Sequence, residues 1–174
     1  MSYYLLIRGP LGSGKTTVSQ RVAQKVGGEH ISIDQILDDH GFWNSGRLAE
    51  FLQANVVAAE QARVLLVRDI PVIIDGNFYW KSQIADLIRR LPFPHFIFTL
   101  DAPLAVCIER DRRRKPPHGR EATEQVFAKT TRFHAGVRIN ANRPLEPVVS
   151  DVVQRLRRGR PRSSPTRGRR LSRR

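Results

Sequence analysis

A single cysteine, Cys107, stands in the 174 residues. One thiol cannot close an intrachain disulfide or supply a four-cysteine zinc site, so the chain reads as one that folds in a reducing compartment. Long apolar runs are missing too, and nothing approaches the ~20 residues needed to span a bilayer. The opening residues have the pattern of an apolar strand rather than of a basic, apolar leader with a small-residue cleavage site. A cytoplasmic protein without membrane contact is expected. Lysine is scarce, five residues against 25 arginines, and acid is absent altogether from residues 155–174. That stretch holds ten arginines, which leaves only +4 of the formal net charge of +14 to everything before it.

The basic stretch is rich in glycine, proline and serine and has little apolar surface to offset the entropy of ordering. It is expected to be disordered over 157–174, behind a folded domain over 1–156, a length suited to one hydrophobic core. Such a tail offers non-specific, salt-sensitive contact to nucleic acid. The core itself has no basic stripe interleaved with aromatics, so its charge does not mark a nucleic-acid interface.

What the chain does contain is Gly9-Pro10-Leu11-Gly12-Ser13-Gly14-Lys15-Thr16, a complete G-x-x-x-x-G-K-T loop, directly after the apolar run Tyr3 to Ile7. The glycines let successive backbone N–H groups converge on a triphosphate. Lys15 carries charge to the β- and γ-phosphates, and the Thr16 hydroxyl suits Mg²⁺. The loop opens a helix, whose N-terminal partial charge favours the same anion. Gly9, Gly12, Ser13, Gly14, Lys15, Thr16 and Thr17 are the expected nucleotide contacts.

Strands and helices alternate from there. Val18, Val22 and Val26 recur at helical spacing before Gly27-Gly28 stops the segment. Ile31 to Ile33 reads as a second strand ending at Asp34. Ser45 reads as the N-cap of a long helix with Leu48, Leu52, Val56 and Ala59 on its inner face. Pro71 to Ile74 is a continuous apolar run, as for a strand buried on both faces, and it ends at Asp75. Ser82 then caps a helix with Ile84, Leu87, Ile88 and Leu91 inward, and Phe96 to Leu100 makes a fourth strand. Asp101, read as a cap, and Pro103 start an arginine-rich helix that Pro116-Pro117 breaks. A helix with Val126, Phe127 and Phe133, a weak strand over Val137 to Asn140 and a last helix from Glu146 to Leu156 complete the domain. Strands separated by helices imply a parallel sheet covered on both faces, with ligands at the carboxyl ends of the strands. Asp34, Asp75 and Asp101 are thereby expected to converge beside the phosphate loop.

With the phosphate loop first, Asp34 next and Asp75 third, the chain resembles the P-loop small-molecule kinases, the group of shikimate kinase, chloramphenicol phosphotransferase and the kinase part of polynucleotide kinase, over residues 3–154. The resemblance implies a three-layer α/β/α fold with a five-stranded parallel sheet in the order 2-3-1-4-5. It implies ATP and Mg²⁺ as cofactors, and transfer of the γ-phosphate to a hydroxyl of a small molecule. Asp34 matches the carboxylate that takes the proton of the attacking hydroxyl, with Asp38 and Asp39 as substitutes or Asp34 as a mere helix cap. Asp75 matches the Mg²⁺-holding aspartate. Gly76 follows it where water-activating ATPases commonly carry Glu, which favours transfer over hydrolysis. Glu109 to Lys115 falls in the family's lid, about residues 110–122. There Arg110 and Arg114, four apart on one helical face, match the paired arginines that meet adenine and the transferred phosphoryl group, with Arg113 in reserve.

The acceptor is expected among Phe42, Trp43, Arg47, Asn77, Phe78 and Tyr79, whose rings, guanidinium and amide suit a compact polar ring or sugar. Two other readings fit the same motifs. One is a polynucleotide 5′-hydroxyl kinase tethered by its basic tail; the other is an ATP-binding regulatory or RNA-associated module that transfers nothing. No Asn-Lys-x-Asp guanine motif occurs, and His118 and His134 lack metal-ligand spacing.

Overall fold

The computed structural model describes residues 2–159. In chain order the elements are β1 (Tyr4–Arg8), α1 (Lys15–Val26), β2 (Glu29–Ser32), α2 (Ile33–Asp39), α3 (Leu48–Leu66) and β3 (Val72–Gly76). They continue with α4 (Lys81–Arg90), β4 (His95–Asp101), α5 (Leu104–Arg112), α6 (Arg120–Thr130), β5 (Val137–Asn140) and α7 (Leu145–Gly159). All strand pairs are parallel, and the sheet order is β2-β3-β1-β4-β5, the order that the family resemblance implies. Each crossover carries a helix, so all five strands deliver their carboxyl ends to one edge.

β1 is central and buried along its whole length. Its alternation divides the core in two. Leu5 and Ile7 join Ile73, Phe98 and Ile139 under α1 and α7, whose Val18, Val22, Val149 and Val152 face inward. Tyr4 and Leu6 join Val72 and Ile74 under α2, α3 and α4. Arg8, on that second face, is also fully buried. α1 stops at Gly27, whose φ of 66° suits glycine, while the Gly28 N–H returns to the Ala23 carbonyl at 2.9 Å.

Several local expectations are corrected. The inner face of α3 is Phe51, Ala54, Ala58, Ala59, Ala62 and Leu66, while Leu48, Leu52 and Val56 are only half-buried. The helix turns its alanines inward because small side chains let it lie close on the sheet, and the bulkier residues cover its flanks. Ser45 is not a cap: its N–H and hydroxyl donate to the Glu50 carboxylate at 2.8 and 2.7 Å, joined by the Gly46 N–H at 2.8 Å. These bonds hold the Glu50 carboxyl below the usual glutamate range. Ser82 lies inside the first turn of α4, behind the N-cap Trp80. Asp101 ends β4 and pairs with Arg138 of β5, its Oδ2 accepting from Nε at 2.7 Å, and Pro103 is the N-cap of α5. Phe133 lies beyond the end of α6. The last helix runs to Gly159, so residues 157–159 of the expected tail are helical; 160–174 lie outside the described residues.

The face of α3 can be tested by overpacking. Ala58→Leu puts a branched side chain against the sheet and should cost about 1–3 kcal/mol, whereas Leu52→Met should stay well below that, both read from urea midpoints.

Candidate active site

The junction of β1 and α1 is built from backbone. Gly12 has a φ of 77°, and a Cβ there would lie 2.2 Å from the Cys107 carbonyl oxygen, so the loop is seated directly against α5. Gly9 is equally crowded, with a Cβ falling 2.7 Å from Ser13 Oγ. The Ser13 N–H donates to the Pro10 carbonyl at 3.1 Å, and α1 begins at Lys15. Gly12 through Val18 line one wall of a cavity of about 450 Å³. Arg110 of α5 and Arg114 line a second wall, and Ala141, Arg143, Leu145 and Val148, from the end of β5 and the start of α7, line a third. The expectation of one shared helical face is corrected, because α5 ends at Arg112 and Arg114 lies beyond its C-cap Arg113.

The two arginines differ. Arg110 is committed to the frame, donating to the carbonyls of Ser13 at 3.3 Å and Ala141 at 2.9 Å. Arg114 pairs with no carboxylate among the described residues and faces the cavity. Arg113, the reserve, is held by Glu109 at 2.9 Å. Between them the buried Asp111 carboxylate accepts from the His118 and Gly119 N–H groups at 3.2 and 2.9 Å, which closes the lid loop onto the start of α6.

Across Lys15 lie the residues expected to take the acceptor. Asp34 is in the first turn of α2, not at a strand end. The N-cap is Ser32, whose side chain accepts from the Gln35 N–H, so Asp34 does not cap the helix. Its Oδ2 is 3.7 Å from Lys15 Nζ, and its side chain is still 32% exposed. Burial pushes the Asp34 carboxyl up; Lys15 opposes this, and the charges of Asp75 and Asp38 add to it. Asn77 Nδ2 donates to both Asp34 oxygens at 3.4 and 3.5 Å. The Tyr79 phenol, raised above its ordinary range by burial and by Asp34, lies close to the Asn77 amide. Asp39 is engaged by Gln35 at 2.7 Å, which leaves Asp38 as the exposed alternative one turn along α2.

The aromatic residues divide. Tyr79 and Trp43 pack edge-on against Phe51 with ring centroids 5.4 Å away in both cases, and Trp43 remains 43% exposed. Phe42 is half-buried beside His40, and Arg47 is exposed at the start of α3. Phe78 is corrected: its ring is fully buried in the core, so only its backbone borders the site.

Asp75 lies within β3, fully buried, and neither carboxylate oxygen has a hydrogen-bond donor. His30 Nε2 approaches Oδ2 at 3.2 Å. Acceptor-only oxygens without donors fit a site for a hydrated divalent cation, with the exposed Thr16 hydroxyl on the cavity wall. Among the described residues no group of three or more His, Cys, Asp or Glu could hold a metal unaided. That suits an ion carried in with phosphates. Asp101 does not join the other two carboxylates, being paired with Arg138.

A glycine-rich loop between the central strand and its helix, a cavity along it, and a carboxylate beside its lysine define a P-loop phosphate-binding protein. The sequence profile of the AAA domain family matches residues 5–136, and the chain belongs to that family. No curated protein matches the sequence. Among solved structures, the fold is similar to that of a gluconokinase from Sinorhizobium meliloti 1021 at TM-score 0.72 and 18% identity, over 89% of this chain and 91% of that one. It is similar to a sugar kinase from Janibacter sp. HTCC2649 at TM-score 0.78 and 18% identity, over 90% and 95%. The APS kinase of Mycobacterium tuberculosis, in complex with AMPPNP and APS, matches at TM-score 0.73 and 18% identity, over 90% and 98%. The chain thus has the fold of the P-loop small-molecule kinases. No helix among the described residues is long and apolar enough to cross a membrane.

The sequence reading missed Ala141, Arg143, Leu145, Val148 and Asp111. The rule that ligands lie beyond the carboxyl ends of parallel strands points to the turn after the fifth strand and gives the first four. Asp111 had no such signal, since its partners are backbone N–H groups seven and eight residues on.

Gly12→Ala tests the seating of the loop on α5. The clash with Cys107 should lower the melting temperature and abolish the further rise that Mg-ATP gives the wild type; a retained ligand-induced rise would show that the loop tolerates displacement.

Proposed function

We propose that the protein is an ATP-dependent phosphotransferase that moves the γ-phosphate of Mg-ATP to a hydroxyl group of a small molecule. The observation that carries this reading is the 3.7 Å approach of Lys15 Nζ to Asp34 Oδ2, which sets a partly open carboxylate beside the phosphate-binding lysine. A carboxylate there can orient a hydroxyl and accept its proton as the new P–O bond forms and the bond to the β-phosphate oxygen breaks, releasing ADP. Asn77 holds that carboxylate and Tyr79 walls the acceptor. Thr16 and Asp75 would hold Mg²⁺, which neutralises phosphate charge. Lys15 and the unpaired Arg114 supply the fixed positive charge that the dispersed transition-state charge requires. Arg110, bound to two carbonyls, shapes the nucleotide cavity instead.

Transfer from [γ-³²P]ATP to pooled sugars, polyols, nucleosides, antibiotics and 5′-hydroxyl oligonucleotides tests the reading. Labelling of a small hydroxyl compound is expected, and labelling of oligonucleotides alone would replace it with nucleic-acid end phosphorylation. Lys15→Ala should abolish transfer with the fold intact. Asp34→Asn should keep ATP affinity and cut the rate by about 10²–10⁴-fold. Arg114→Ala should cost about 10³-fold in turnover, roughly 4 kcal/mol, while Arg110→Ala should act mainly on nucleotide affinity.

The pH profile follows from Asp34. A base must be unprotonated and burial raises this carboxyl, so the rate should climb with pH through an acid limb lying above the ordinary aspartate range. Asp34→Asn should remove that limb. An unchanged limb in the variant would move the base to another residue, with Asp38 the first to test.

A further inference from the structure

Arg8 closes β1 one residue before the phosphate loop, is fully buried and has no carboxylate partner among the described residues. Its two terminal nitrogens donate to oxygens of three distant segments, while Nε finds no acceptor among the described residues. Nη2 donates to the Thr130 carbonyl at 2.7 Å and the Phe78 carbonyl at 3.3 Å; Nη1 donates to the Phe133 carbonyl at 2.9 Å and Thr99 Oγ1 at 3.5 Å. The guanidinium carbon also lies 4.3 Å from the centre of the Phe133 ring.

One of these contacts falls on a strained residue. Phe78 has a φ of 47°, in the left-handed region that bulky side chains avoid. It lies between Asn77, whose amide reaches Asp34, and Tyr79, whose phenol lies by that amide. Relaxing Phe78 to an ordinary φ would turn the peptide that sets the directions of both neighbours. The fully buried Phe78 ring holds one side of that peptide and the Arg8 guanidinium holds its carbonyl.

We infer that Arg8 is a positioning residue for the acceptor side, fixing the strained Phe78 peptide so that Asn77 and Tyr79 face Asp34. Its meaning for catalysis rests on the phosphotransferase reading; its geometry does not. Thr99 gives the contrast, because its hydroxyl bonds Arg8 and the carbonyl of Ala135, at 3.5 and 2.8 Å, but does not touch Phe78.

The test is a set of crystal structures of the full chain with Mg-AMPPNP, wild type, Arg8→Met and Thr99→Val, with binding of a fluorescent ATP analogue and transfer to the acceptor pool measured on each. In Arg8→Met the Phe78 φ should become negative and Asn77 should leave Asp34, while ATP-analogue affinity stays near wild type and transfer falls by about 10²-fold, the scale of a misplaced reacting group. Thr99→Val should keep Phe78, Asn77 and transfer as in the wild type. Arg8→Met with Phe78 still at positive φ and Asn77 on Asp34 would overturn the inference. So would a loss of ATP-analogue affinity as large as the loss of transfer, which would put Arg8 in the service of the phosphate loop. Should Arg8→Met not fold, Arg8→Lys keeps the charge but not the fork and carries the same expectations. If no acceptor is labelled by any form, the phosphotransferase reading fails, and the Phe78 geometry still decides the role of Arg8.

Discussion

A positive charge buried without a counter-charge is the constraint around which this molecule is arranged. The Arg8 guanidinium is out of contact with water, and burial lowers its pKa to about 10, which still leaves it charged near neutrality. Taking such a group out of water is expensive unless every donor is satisfied. Here four oxygens serve its two terminal nitrogens, two of them the carbonyls of Thr130 and Phe133, at and just after the end of α6, while Nε has no hydrogen-bond partner among the described residues. A helix carboxyl end carries partial negative charge and serves as a diffuse counter-ion. Removing the guanidinium would strand those carbonyls, at about 1–3 kcal/mol for each buried polar group left unpaired. The end of α6, the turn after β3 and β4 are therefore all referred to the residue that precedes the phosphate loop.

The second organising fact is the crowding of charge beside Lys15. Asp34 is within 3.7 Å of it, and Asp75 is close enough to raise the Asp34 carboxyl. Two carboxylates near one ammonium are unevenly served, and the structure answers with two different environments. Asp34 keeps contact with water and has an amide donor and a lysine; Asp75 is sealed, with no hydrogen-bond donor among the described residues and His30 Nε2 at 3.2 Å. A carboxylate that exchanges a proton needs the first environment, and one that awaits a cation needs the second. Both residues were expected at strand ends, and the fold separates them by setting Asp34 in the first turn of α2 and Asp75 inside β3.

Much of the frame was legible from local pattern, because parallel strands buried on both faces are continuous apolar runs and their helices repeat at 3.6 residues. The five strands and the phosphate loop were readable in this way, whereas the strand order came from the family resemblance. Errors came where a long-range contact overruled a local preference. Ser45 has the chemistry of a cap but is taken by Glu50 from the next turn. Phe78 has the look of a ligand-facing aromatic, yet its ring is core, because the positive φ sends it inward under Ile33 and Gly76. The face of α3 was misread since alanine contributes little to an apolar pattern, although close approach to the sheet selects it. Arg8 left no trace in sequence at all, as nothing marks an arginine whose partners are carbonyls 70 to 125 residues away.

Donor and acceptor sides are also made of different materials. The donor cavity is walled by consecutive residues of one loop and by segments seated through backbone contacts, Gly12 on the Cys107 carbonyl and Arg110 on those of Ser13 and Ala141. Geometry fixed by backbone tolerates change of side chain, and the fold is shared with chains only 18% identical. The acceptor side is assembled from side chains of α2, the turn after β3 and the segment between α2 and α3, where Trp43 rests on Phe51 and Glu50 pins residues 45 and 46. Each of these can change without disturbing the sheet. On the proposed reading, the chemistry of phosphate transfer is thus tied to the fold, while the choice of hydroxyl compound would rest on a few packed rings and one amide.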